Sequence, residues 1–133
     1  MKGTRGYIIE MGNQAISCFD VGLFDACAVM LRKLIETLII ETFERHNIDD
    51  KIKNKDGNFL YLSDLISLLL KESKWNIGRN AKEGFAQIKN NGDLSAHNRR
   101  YCAKKQDILE IKKPTRVCIE ELVKIIDYDT WNK

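Results

Sequence analysis

The stretch Lys89-Asn90-Asn91-Gly92-Asp93-Leu94-Ser95-Ala96-His97-Asn98-Arg99-Arg100-Tyr101 gathers a histidine, an acid, three basic side chains and an aromatic. A neutral imidazole can accept a proton near pH 7, and neighbouring cations can hold charge that develops on a phosphate. Together they are the minimum for metal-free RNA cleavage, in which the RNA's own 2′-hydroxyl attacks and DNA is spared. In that reading His97 is the general base or acid, and Lys89, Arg99 and Arg100 contact phosphate. The alternative at the same position is a structural histidine that hydrogen-bonds the fold together. Asp93, four residues before His97, either orients the imidazole or N-caps a short helix after a turn at Asn91-Gly92.

Other chemistries lack their residues. The chain has no P-loop, no paired-glycine dinucleotide fingerprint, no serine elbow and no HExxH pattern. Its four cysteines, Cys18, Cys27, Cys102 and Cys118, show no CxxC spacing, so no metal site and no cofactor are expected. Cys18, Cys27 and Cys118 lie in apolar surroundings and read as small core residues of a reducing compartment. No helix carries a run of base-reading side chains after a tight turn, which weighs against helix-turn-helix DNA binding.

The elements that must hold the focal stretch are helical. Ile8, Met11, Ala15, Cys18 and Phe19 share one face of a first helix from about Tyr7 to Asp20, broken by Gly22. A second, central helix runs from Leu23 or Phe24 to about His46, with a broad apolar stripe that includes Cys27, Leu31, Leu34, Ile35 and Leu38. On it Arg32 and Glu36 stand one turn apart, as a structural pair or as a brace for the histidine site. Glu41 and Arg45 have the spacing of surface support, and His46 that of a favourable cation at a helix C-terminus.

Residues 47–58 are charged and turn-rich, with Asp56-Gly57 the expected turn. Leu60 to Leu70 gives a short helix so apolar that it is either deeply buried or covered by another subunit; Asn58 and Ser63 are its candidate N-caps. A fourth helix after Trp75-Asn76-Ile77-Gly78 delivers the chain to the focal stretch. A brief turn through Ile108 and Ile111 follows, and Pro114 is placed to open the last helix. Residues 128–133 are expected to fray unless Trp131 docks.

At 133 residues the chain fits one domain, 1–133, with a core from about 4 to 126. The fold class is all-α, an up-and-down bundle of about five helices. No apolar run approaches the ~20 residues of a spanning helix and no signal-peptide core precedes Glu10, so the expected location is the cytoplasm, away from membrane. Residues 71–116 hold 12 Lys and Arg against 5 Asp and Glu, while the rest of the chain is acidic on balance. Such a local excess attracts phosphate, although a solvated basic face gives the same count.

Residues 15–36, AISCFDVGLFDACAVMLRKLIE, followed by Gly92-Asp93-Leu94-Ser95-Ala96-His97, resemble a bacterial domain of unknown function within the HEPN superfamily (higher eukaryotes and prokaryotes nucleotide-binding). The resemblance covers roughly Thr4 to Ile126. It implies a helical bundle that forms a homodimer and brings two histidine segments together. It also implies RNA as a ligand and metal-independent ribonuclease chemistry of toxin–antitoxin, phage-defence or RNA-processing systems, with a partner protein or antitoxin. In that superfamily an arginine stands before the histidine with about four to six residues between them. Here Gly92, Asn91 and Asn90 occupy those places, and Lys89 holds the basic position three before the glycine. Lysine offers a point charge where arginine offers a planar fork. A non-catalytic dimerisation or sensor module that regulates a partner is the second reading of the same residues.

Overall fold

The computed structural model describes residues 4–97 and 100–131, except for the side chains of 92–97. Apolar spacing sets its helices. Ile8, Gly12 and Ala15 form the buried stripe of α1 (Gly6–Asp20). Gly22 ends it with φ 84°, a left-handed conformation that glycine adopts without steric cost, while Leu23 N–H returns to Cys18 O at 2.8 Å. The chain reverses into α2 (Phe24–Arg45), whose buried residues include Cys27, Leu34, Ile35, Leu38, Ile39 and Phe43. α2 lies against α1 and also against the third and fifth helices, so it is the spine of the bundle.

A 3₁₀ turn, Asp49–Ile52, follows α2. The loop beyond it is closed by Asn54, whose Oδ1 accepts the N–H groups of Asp56 and Asn58 at 2.9 and 3.1 Å, with Gly57 at φ 84°. α3 (Leu62–Lys71) buries Leu62, Leu65, Ile66 and Leu69 beneath α2, the 3₁₀ turn and α4 (Arg79–His97). Its apolar character is therefore accounted for within one chain. Neither Asn58 nor Ser63 caps it: Tyr61 occupies the N-cap and no side chain bonds there. Trp75, between α3 and α4, donates its indole N–H to Leu69 O at 3.0 Å and sets its ring edge-on to Phe43.

Two expected breaks are absent. α4 runs through Asn91-Gly92 to His97, so Asp93 lies inside a helix rather than at the cap of a new one. α5 (Lys105–Ile126) begins before Ile108 and carries Pro114 in its interior, not at its first turn. A glycine costs a helix about 1 kcal/mol and an interior proline about 3, amounts that packing can outweigh. Some of that packing is visible where the two helices meet. A Cβ on Gly84 would stand 2.9 Å from Cys118 Sγ and 3.1 Å from Pro114 O, so α4 and α5 touch almost backbone to backbone. Cys118 adds a thiol contact to Ala81 O at 3.7 Å.

One core joins Ile8 of α1, Leu34 to Phe43 of α2, Leu65 and Leu69 of α3, Phe85 and Ile88 of α4, and Cys118 and Leu122 of α5. A smaller cluster of Ala15, Cys27 and Ile108 sits nearer the α1–α2 turn. The fold is an all-α bundle in which each helix packs on its predecessor. No described helix is long and apolar enough to cross a membrane.

Candidate functional site

α4 carries the focal residues toward the start of α5. His97 is the last residue of α4, and Gly92 and Asp93 lie on its final turns. The side chains of Asp93 and His97 lie outside the described residues, as does the whole of Arg99. Lys89, eight residues and about 12 Å of helix rise before His97, is half-buried. Its Nζ donates to Ser67 Oγ of α3 at 3.4 Å. Arg100 stands exposed just beyond α4.

The segment that follows is tied down by carboxylates. Asp25, in the first turn of α2, accepts the Ala103 N–H at 2.6 Å. Asp107, at the third position of α5, accepts the Lys104 N–H at 2.8 Å, satisfying an amide that the helix itself cannot. Burial and a hydrogen bond to Asp107 raise the Tyr101 phenol above its ordinary value. Lys105 Nζ lies 5.9 Å from the centre of the Phe19 ring at the end of α1. The anchors consume backbone amides and carboxylates, while Lys104 and Lys105 remain exposed. Arg100, Lys104 and Lys105 thus gather on one pole of the bundle, beside the α1–α2 turn. The Lys104-x-x-Asp107 spacing was the sequence signal for this anchor; nothing local marks Asp25.

The Arg32–Glu36 pair is weaker than its spacing implies. No ion pair within 4.0 Å joins the two, and burial raises Glu36 above the usual carboxylate range while the field of Arg32 opposes the shift. Among the described residues no hydrogen bond or ion pair connects either side chain to Lys89. Burial also pushes the Cys118 thiol up to about 12 and raises Cys27, which makes both poor nucleophiles and agrees with their reading as core residues. Among the described residues no three His, Cys, Asp or Glu side chains gather as metal ligands would.

The opposite pole holds a polar cluster that sequence spacing missed. Glu41 is only 6% exposed, not a surface support. Its carboxylate accepts the hydroxyls of Tyr7 from α1 and Tyr128 from the 3₁₀ turn Tyr128–Thr130, with Arg5 Nε at 3.8 Å. Burial first, then the bond to Glu41, raises Tyr7 to about 12 and Tyr128 further in the same direction. The Arg5 guanidinium lies over the Trp131 ring at 4.5 Å, so Trp131 docks, and residues 132–133 of the stretch expected to fray lie outside the described residues. Arg45 turns away from Glu41 to reach Ile126 O at 3.0 Å, and a His46 ring nitrogen lies 3.3 Å from Ile125 O. His46 also tilts its ring against Trp75, which makes it a fastener between α2 and α5.

No curated protein and no solved structure matches the chain significantly. The family model for a domain of unknown function, DUF4145, matches residues 13–129, a span that includes the α1–α2 turn, the whole of α4 and the anchored start of α5. The chain belongs to the DUF4145 family.

Proposed function

We propose that this DUF4145 chain is a HEPN-type RNA-binding domain that works as a homodimer, and that its site for metal-independent RNA cleavage centres on His97. The observation that carries the reading is the pole where α4 ends and α5 begins. Arg100, Lys104 and Lys105 lie exposed there on a segment held by Asp25 and Asp107. Cations carried on an anchored backbone suit a polyanion, because less of the chain has to be ordered when phosphates arrive. In the cleavage step His97 takes the proton of a ribose 2′-hydroxyl as its oxygen attacks the adjacent phosphorus. The bond to the 5′-oxygen breaks and that oxygen takes a proton from water, leaving a 2′,3′-cyclic phosphate and a 5′-hydroxyl, and the imidazolium returns its proton to solvent. Arg99 and Arg100 stabilise the added phosphate charge, Lys89 serves a flanking phosphate once it leaves Ser67, and Asp93 positions the imidazole.

One observation favours the second reading, a non-catalytic module that regulates a partner protein. Lys89, which stands for the superfamily's arginine, is half-buried and turned to Ser67. The test is cleavage of a labelled mixed-sequence RNA in chelator by the wild type and His97→Ala, with binding measured across salt. Expected are cutting by the wild type alone and binding that weakens steeply as salt rises. Folded protein that binds no RNA and cuts none would leave the module reading in its place.

A further inference from the structure

A groove of about 920 Å³ runs between α1 and α5 with α2 as its floor. Ala15, Cys27, Leu31, Leu34 and Ile119 make it apolar. Ile16 of α1 and Leu109 of α5, which also line it, are 60% and 42% exposed. Its two walls differ in charge. α1 contains Glu10 and Asp20 and no lysine or arginine, and of the two acids Asp20 lines the groove while Glu10 stands beyond its lining. α5 brings Lys112, Arg116, Glu120 and Lys124 to the groove, and Arg116 faces Glu120 at 3.9 Å, so Lys112 and Lys124 set that wall's net charge.

We propose that a second copy of this chain covers the groove, the α1 wall of each copy laid against the α5 wall of the other about a two-fold axis that runs along the groove. The inference rests on the homodimer reading above and adds the face through which the copies pair. An interface between identical copies related by a two-fold must be complementary to itself. This surface is, because an acidic helix and a basic wall border one apolar trough, and the rotation sets each against its opposite. Lengths also agree. The lining of α5 from Ile108 to Lys124 spans about 24 Å and the 15 residues of α1 about 22 Å. Burying Ile16 and Leu109 removes two of the large apolar side chains that the single chain leaves in water. α3, already covered by its own chain, offers no such face.

Sedimentation equilibrium of the full chain, with circular dichroism to verify folding, tests the assignment. A wild-type dimer is expected. Ile16→Arg should weaken it at least about tenfold, since a buried charge without a partner opposes association. The pair Lys112→Glu and Lys124→Glu should weaken it too, as should Glu10→Lys with Asp20→Lys, and all four together should restore it. A monomeric wild type overturns both the pairing and the face. A wild-type dimer indifferent to Ile16→Arg and to both charge pairs overturns the face alone, and so does a fourfold variant that stays apart.

Discussion

The two ends of α2 hold the bundle in opposite ways. At Asp25 the carboxylate takes a backbone amide, and the neighbouring lysines stay at the surface. At Glu41, 16 residues and about 24 Å along the helix, the carboxylate takes two phenols and an arginine, so the side chains satisfy one another around one buried acid. One pole therefore spends its polar groups on cohesion and the other keeps Lys104 and Lys105 at the surface. A site that binds a polyanion needs the second arrangement, and a domain that must stay folded around it needs the first.

The largest effect should come from Glu41→Ala, which leaves Arg5 and two partly buried hydroxyls without their acceptor. A loss of about 3 kcal/mol in urea unfolding is expected, with the proposed RNA binding at the other pole unchanged once folding is matched. A loss below about 1 kcal/mol would make the two poles alike and end the comparison.

Next is alkaline pH. An unfolded tyrosine ionises near 10, whereas folded Tyr7 holds its proton to about 12 and Tyr128 holds its own still longer. The folded state binds more protons across that window, so this contribution is complete below pH 10 and falls as pH rises through 10 to 12. Urea midpoints should drop over that range, and less steeply in Tyr7→Phe with Tyr128→Phe. Equal slopes would show that the phenols are not held as described.

The smallest effect should follow Asp25→Ala, about 1 kcal/mol, because one hydrogen bond to a backbone amide is lost at an exposed side chain. Its value lies in RNA affinity, which should fall more than stability does if the anchored segment presents the cations. Stability and affinity that fall together would reduce Asp25 to a fold contact.

These poles were unequally legible in the sequence. Periodic apolar residues located all five helices, and Gly22 marked the first reversal, because both signals are local. Asn91-Gly92 and Pro114 misled for the same reason: their local cost is real, but α4 and α5 run through them as one packed pair. Glu41 was invisible, since Tyr7 and Tyr128 lie 34 and 87 positions away and no spacing rule joins them. For Arg32 and Glu36, spacing gave proximity but not contact. At the focal stretch the residue types were legible, but the Asp107 cap went unread because the helix was expected to open at Pro114; the lean of Lys89 onto Ser67 depends on how α3 meets α4.

The stacking of Arg5 on Trp131 has a topological consequence. Segments far apart in sequence finish side by side, so a short linker could join them and new ends could be opened in the Asn54–Asn58 loop. In such a permuted chain the groups that converge on Glu41 would be neighbours in sequence. Less chain entropy would then be lost in bringing Arg5 and Tyr128 together around the buried carboxylate.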